Sequence, residues 1–278
     1  MAKKKLIPMA ILYDFDGTLA PGNMQEHNFL PSLGVESAAF WARTRELATE
    51  QDADEILAYM KLMLDLAHQA RIRVRREDFR ALGAQLECFP GVSDWFGRIN
   101  AYALGKGIRA EHYIISSGLR EMIEGSTIAH SFARIYASGF MYDENDVAVW
   151  PALAINYTTK TQFLFRINKG TFDVFDNTVI NKFVPKDERP IPFENMVYIG
   201  DGETDIPCFR LVKEEGGHSI AVYEKGKKGA REKVERLTSG GRVSRIAAAD
   251  YSEGSEIDLC VRAIVDEIEA QARVTPRE

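Results

Sequence analysis

The stretch Ala10-Ile11-Leu12-Tyr13-Asp14-Phe15-Asp16-Gly17-Thr18-Leu19 constrains this chain more than any other. An apolar run ends in two acids one residue apart, then Gly-Thr. If Leu6 to Tyr13 is a buried strand, Asp14 stands where that strand stops. Phe15 then faces away, and Asp14 and Asp16 share one side of the turn. Two carboxylates so placed repel each other and attract a hard cation. Two plainer readings compete. Asp-Gly between apolar residues is also a hairpin signal, yet Pro21-Gly22-Asn23-Met24-Gln25-Glu26-His27 does not read as a returning strand. A calcium loop counted from Asp14 would need Gly at Leu19 and Glu at Gln25, so that reading fails.

The length of 278 residues fits one large domain or two smaller ones. The formal charge of -6 argues against nucleic acid as the main partner, since phosphate backbones call for a basic face. No apolar run reaches membrane-spanning length. Lys3-Lys4-Lys5 reads as a solvated end, because the apolar run after it stops in Asp-Phe-Asp with no small-residue cleavage site. Cys88, Cys208 and Cys260 lack metal-ligand spacing and read as buried free thiols in a reducing compartment. Together these features predict a soluble cytoplasmic protein.

In chain order, residues 24–34 read as irregular linker. Helices are expected over 36–50, with Phe40, Arg43 and Leu47 at helical spacing, and over 53–71, with Ile56, Leu57, Met60, Leu64 and Ala67 on one stripe. Residues 76–86 give a third. Arg71, Arg73, Arg75 and Arg76 read as a solvated helix end or as an anion-attracting rim over a site. From Pro90-Gly91 a helix (93–106), a strand (110–115) closing on Ser116-Ser117-Gly118, and another helix (119–125) follow. Residues 133–141 and 147–156 read as an inserted β-hairpin. A helix over 162–168 follows, and 171–192 resists assignment. Then come a strand (195–199), a helix (206–214), a strand (219–223), a helix (230–237), a strand (243–249), and a final helix capped by Ser252 or Ser255. Strands alternating with helices predict an α/β fold, a Rossmann-like parallel sheet with helices on both faces. The expected units are a core of residues 1–21 and 89–278 and a small helical insert over residues 22–88, too small to bury much core alone and so packed on the rest.

Three strands end in polar clusters: Asp14-x-Asp16, Ser116-Ser117-Gly118 and Gly200-Asp201-Gly202-x-x-Asp205. In a parallel sheet these ends share one edge, where ligands bind. The inventory suits phosphoryl transfer. Carboxylates can hold Mg2+, a carboxylate can be the nucleophile, and Ser116, backbone N–H groups and a lysine can neutralise phosphoryl oxygens. A second acid can protonate the leaving alcohol and then activate water.

On these motifs the chain resembles the haloacid dehalogenase (HAD) superfamily. Asp14-Phe15-Asp16-Gly17-Thr18 matches its first motif, Ile114-Ile115-Ser116 its second, and Val197 to Asp205 its fourth. The resemblance implies Asp14 as nucleophile and metal contact, and Asp16 as general acid/base with its backbone carbonyl on the metal. It implies Asp201 as metal ligand, Asp205 as support or water-mediated ligand, and Ser116, with Ser117 beside it, at the phosphate. No Lys-Pro marks the third motif. Lys160 is chosen because it precedes a helix at a suitable distance, with Lys169 and Lys182 as alternatives. The helical insert occupies the place of a C1-type cap, as in the phosphoserine-phosphatase-like branch.

The function expected is an Mg2+-dependent phosphatase acting on a small phosphorylated metabolite through an aspartyl-phosphate. Asp16 favours this over C–halogen cleavage, which needs neither that acid nor a metal. A phosphomutase with the same site and a non-catalytic binding protein are the alternatives. Arg43, Arg45 and the 71–76 arginines are candidate substrate contacts.

Overall fold

The computed structural model describes residues 6–274; Lys3-Lys4-Lys5 lies outside the described residues. The apolar run becomes β1 (Ile7–Tyr13), and residues Met9 to Tyr13 are wholly buried. The run is unbroken because both faces are covered. Met9, Ile11 and Tyr13 pack into one apolar cluster and Ala10 and Leu12 into another on the opposite side.

Two short helices follow, α1 (Met24–His27) and α2 (Phe29–Ser32), then α3 (Ser37–Gln51), α4 (Glu55–Gln69), α5 (Arg76–Gly83) and α6 (Val92–Gly105). Next come β2 (Ile108–Leu119), α7 (Arg120–Gly125), β3 (Arg134–Tyr142), β4 (Ala148–Leu153), α8 (Lys160–Lys169) and α9 (Asn177–Ile180). The chain continues through β5 (Met196–Gly200), α10 (Ile206–Glu214), β6 (His218–Tyr223), α11 (Ala230–Ser239), β7 (Arg245–Ala248) and α12 (Glu256–Val274).

The seven strands form one sheet in the order β4-β3-β2-β1-β5-β6-β7. All neighbours are parallel except β3 and β4. This is the α/β architecture the alternation predicts. β1 is central, with Tyr13 paired to Ile114 of β2 and to Ile199 of β5. The three polar strand ends therefore lie side by side.

Several sequence expectations need correction. Residues 24–34 are mostly helical, because Met24, Phe29 and Leu30 are buried and anchor the turns. In α3 the buried face is Phe40 and Thr44 while Arg43 is exposed, and in α4 Tyr59 and Met63 are buried while Leu57 is exposed. The expected hairpin is continuous with the main sheet: β3 pairs parallel with β2, and β4 is the antiparallel edge. Residues 171–192 are ordered by two cations. The buried Arg166 guanidinium donates to the carbonyls of Thr171, Asp173, Val174 and Asp176. Lys169 Nζ donates to those of Ile180 and Lys182. Cys208 is a buried free thiol, but Cys88 and Cys260 are half-buried. Ser255 Oγ, and not Ser252, accepts from the Asp258 amide at the start of α12. Among the described residues no helix is long and apolar enough to cross a membrane.

Behind the end of β1 lies a buried polar chain. Trp95 Nε1 donates to the Tyr13 hydroxyl (2.8 Å), which pairs with His112 Nδ1 (2.9 Å). His112 Nε2 pairs with Asn100 Oδ1 (3.1 Å). With Tyr13 donating to Nδ1, the ring satisfies both nitrogens as a neutral imidazole. Burial pushes its pKa down to about 3. The unfolded ring takes its proton near 6.5, so this group's stabilisation is complete above that pH and is lost as pH falls from about 6.5 toward 3. Between pH 6.5 and 5 the loss is about 2 kcal/mol. Urea unfolding of wild type and His112→Gln at pH 7.5 and 5 should show a smaller pH-induced loss in the variant. Equal losses in both proteins would contradict this account.

Candidate active site

Asp14 follows β1 directly, and its amide donates to the Ile199 carbonyl of β5 (2.9 Å). Its carboxylate bends back onto the chain, with Oδ1 accepting from the Phe15 amide (2.8 Å). Asp16 Oδ1 accepts from the Met24 amide (3.0 Å), which fixes the second acid. Between this turn and the fourth motif the backbone passes very close to a side chain. Gly17 has φ of +72°, and a Cβ there would collide with the Asp201 carboxylate. Only glycine satisfies both the left-handed turn and the close approach.

Ser116 is fully buried at the end of β2, and its Oγ accepts from the Gly118 amide (3.0 Å). The pairing of β2 with β3 shifts between Ser116 and Leu119, which turns this segment out of regular register. Lys160 opens α8. Asn156 Oδ1 accepts from the Thr158 and Thr159 amides and starts the helix. The Lys160 side chain then runs inward, fully buried, to place Nζ 2.9 Å from Asp14 Oδ2 and 2.7 Å from Asp205 Oδ1. Lys169 and Lys182 do not enter the site: Lys169 is engaged with backbone carbonyls and Lys182 is exposed. Asp205 Oδ1 also accepts from the Tyr198 hydroxyl (2.7 Å), and Oδ2 from the Gly202 amide (3.2 Å).

These residues line the floor of a cavity of about 410 Å³. Asp14, Asp16, Ser116, Ser117 and Asp201 all contribute to it, while Lys160 and Asp205 lie buried beneath. The insert between β1 and α6 covers the opposite wall with Asn23, Gln25, Trp41, Glu55, Ile56 and Tyr59. Two hydrogen bonds beside it tie the insert to the rest of the fold. Tyr59 donates to the Ser117 carbonyl (2.7 Å), and Asn156 Nδ2 donates to Asp54 Oδ2 (2.7 Å). Ser117 Oγ and Gln25 Oε1 are buried and make no hydrogen bond, so two polar atoms of the lining residues are left for a ligand. None of Arg71, Arg73, Arg75 and Arg76 lines the cavity; Arg76 pairs with Asp146 (3.2 Å) on the β3–β4 turn. Arg43 pairs with Glu46, and Arg45 lines a separate cavity of about 730 Å³.

Four carboxylates surround one buried ammonium. Burial first, and then the neighbouring Asp205, push Asp14 up to about 6, against the pull of Lys160. Asp16 is held well above the carboxylate range by burial and by Asp14. Burial and Asp205 push Asp201 up to about 7. Burial would lower the Lys160 pKa, but Asp14 and Asp205 outweigh it, so the ammonium stays charged. Oxygens of Asp14, Asp201 and Asp205 lie within 4.8 Å of one another. An all-oxygen set with surplus negative charge fits a hard divalent cation. Asp205 is already engaged by Lys160, Tyr198 and Gly202, which leaves Asp14 and Asp201 as the better direct ligands.

Sequence reasoning missed Tyr198, Gln25, Trp41 and Tyr59. Tyr198 sits inside an apolar strand, where its hydroxyl gives no periodic signal. The other three belong to helices whose orientation over the sheet is set by tertiary packing.

Residues 11–210 match the haloacid dehalogenase-like hydrolase family, and the chain belongs to it. An uncharacterized protein of Borreliella burgdorferi is 31% identical, over 90% of this chain and 93% of that one. Among solved structures, a HAD family hydrolase from Salmonella enterica serovar Typhi is similar with a TM-score of 0.60 at 18% identity, covering 94% of this chain and 73% of that one. A phosphoserine phosphatase solved as a phospho-aspartyl intermediate analogue is similar with a TM-score of 0.55 at 15% identity, covering 92% of this chain and 99% of that one. These likenesses show a shared fold.

The charge balance predicts stability changes of opposite sign. With metal chelated at pH 8, Asp201→Asn removes an unfavourable half-buried charge and should stabilise the fold by about 1–3 kcal/mol. Lys160→Met leaves Asp14 and Asp205 unpaired and should destabilise it by about 3–5 kcal/mol. Calorimetric melting of both variants checks the pair of signs; a loss of stability in Asp201→Asn would contradict the charge balance.

Proposed function

We propose that this protein is an Mg2+-dependent phosphatase that hydrolyses a small phosphorylated metabolite through an aspartyl-phosphate on Asp14. The observation that carries this reading is the buried Lys160 ammonium, bridging Asp14 and Asp205 beneath a cavity floored by Asp14, Asp16, Ser116 and Asp201. Membership of a hydrolase family and the fold likeness to a phosphoserine phosphatase support it.

Asp14 and Asp201 would hold the metal, with the Asp16 carbonyl beside them and Asp205 supporting through its hydrogen bonds. When bound, the cation supplies positive charge that offsets the phosphoryl oxygens and the carboxylates. Lys160, the Ser116 hydroxyl and the amides near Gly118 orient and neutralise the same oxygens. One Asp14 oxygen attacks phosphorus as the bond to the ester oxygen breaks. Protonated Asp16, whose raised pKa suits an acid, gives its proton to the leaving alkoxide. Asp16 then accepts a proton from water as the water oxygen attacks the acyl phosphate. Inorganic phosphate leaves and the Asp14 carboxylate is restored.

In this reading residues 22–88 form a cap that closes over the site. Tyr59 and Asp54 supply two of its polar contacts to the rest of the fold, and Trp41 and Tyr59 help exclude water from the phosphoenzyme.

Phosphate release from p-nitrophenyl phosphate and a panel of phosphorylated metabolites, with Mg2+ and with EDTA, tests the proposal. Mg2+-dependent release is expected, with a loss of about 10³-fold or more in Asp14→Asn. Release that persists in EDTA or in Asp14→Asn would overturn the mechanism. Isomerised product without free phosphate would indicate a phosphomutase, and no turnover of any ester would favour a binding protein.

A further inference from the structure

The protein carries a formal charge of -6, yet residues 224–242 hold seven Lys and Arg against three Glu. This segment comprises the loop after β6, helix α11 and the turn beyond it. Two of its lysines, Lys227 and Lys233, line the catalytic cavity. A Cβ placed on Gly202, next to Asp201, would lie 3.5 Å from Lys233 Nζ, so this ammonium sits directly over the fourth-motif backbone. Lys227 is partly offset by Glu224, 3.1 Å away.

On the other side of Lys233 lies a second cavity of about 420 Å³, lined by Glu203, Ile206, Lys233, Arg236, Leu237 and Arg242. Glu203 and Lys233 line both cavities, so the two adjoin there. The lining is three cations against one carboxylate over the apolar surfaces of Ile206 and Leu237. Lys233 and Arg236 point to one side because they are one turn apart on α11. Arg242 joins them because the Arg242 amide bonds the Leu237 carbonyl, curling the chain back over the helix end (3.0 Å). A net positive concave wall beside an anion-processing site focuses a second negative charge, and guanidinium groups pair well with phosphate and carboxylate oxygens.

We propose that the preferred substrate is a phosphate ester with a second anionic group, phosphate or carboxylate, which seats against Lys233, Arg236 and Arg242 while the scissile phosphate lies over Asp14. The inference rests on the phosphatase reading and narrows its substrate class. Cations on the core thus select substrate alongside the insert helices. Lys233 serves both cavities and is the specificity-determining residue.

Matched esters test it. Glucose 6-phosphate is compared with glucose 1,6-bisphosphate for a second phosphate, and glycerol 3-phosphate with 3-phosphoglycerate for a carboxylate. In wild type, kcat/KM should favour the doubly anionic member of at least one pair by about tenfold or more, mainly through KM. The pair that shows it identifies the anion. Raising NaCl from about 0.05 to about 0.5 M should shrink the preference. The ratio should fall below about threefold in Lys233→Glu and in Arg242→Ala, two positions on different segments, so that one unstable variant leaves the other to decide. Comparable kcat/KM within both pairs, or a preference that survives both substitutions, would overturn the inference and leave the phosphatase reading standing. Absence of phosphate release from all four esters and from p-nitrophenyl phosphate would instead remove the reading on which it rests.

Discussion

The Lys160 ammonium lies 2.9 Å from Asp14 and 2.7 Å from Asp205, with no solvent exposure of its own. That contact joins three elements distant in sequence: the end of β1, the start of α8 and the turn after β5. Without it, four carboxylates would crowd one edge of the sheet with, among the described residues, only the exposed Lys227 and Lys233 in the cavity lining to offset them. Burying a lysine alone would be costly, and burying the acids alone would push them to their neutral forms. Each makes the other tolerable. Tyr198 completes the arrangement by donating to the same Asp205 oxygen that Lys160 holds, so the support is itself supported. Residual excess negative charge remains after Lys160, and it is what makes the site receptive to a cation.

The sheet exists to bring these groups together. β1 is central, and its neighbours β2 and β5 carry Ser116 and Gly200 beside the end of β1. Parallel strands need long crossovers, and one such crossover has room for the whole helical insert. The insert shares an apolar cluster with the sheet through residues such as Phe40, Tyr59, Met60 and Phe79. Its polar contacts include Tyr59 with the Ser117 carbonyl beside the cavity, Asp54 with Asn156, and Arg76 with Asp146 and Arg80 with Glu124 farther along the insert. Asn156 also starts the helix that carries Lys160, so the insert and Lys160 are linked through one asparagine.

The strand ends were legible because their signals are local. An apolar run that stops on an acid marks both a buried strand and its edge, and this held at Asp14 and Asp201; at Ser116 the apolar run stops, but β2 continues out of register to Leu119. Lys160 was legible only by its distance from a helix start; the sequence did not distinguish it from Lys169, which turned out to brace the 171–192 excursion. Periodicity misjudged α4, where exposed Leu57 and buried Tyr59 exchange places, because the hydroxyl of Tyr59 has a partner across the fold that no local pattern reveals. The 71–76 arginines illustrate the same limit. They form a basic cluster in sequence, yet Arg76 turns to Asp146 and the Tyr142 ring. The cations that do line the cavity are Lys227, from a glycine-rich turn that fits no phosphate-loop spacing, and Lys233, from α11. Their placement depends on where α11 packs against β6 and β7.

The central claim is that Asp14 carries the phosphoryl group. It is tested most directly by mixing the protein and Mg2+ with a turned-over ester labelled on its phosphate, quenching in acid within the first turnover, and mapping the label by peptide mass spectrometry. The account predicts a labile acyl phosphate on the peptide containing Asp14, in an amount approaching the enzyme concentration, and none in Asp14→Asn. Label on another residue, or turnover with a first-cycle burst of alcohol and no label on Asp14, would contradict it.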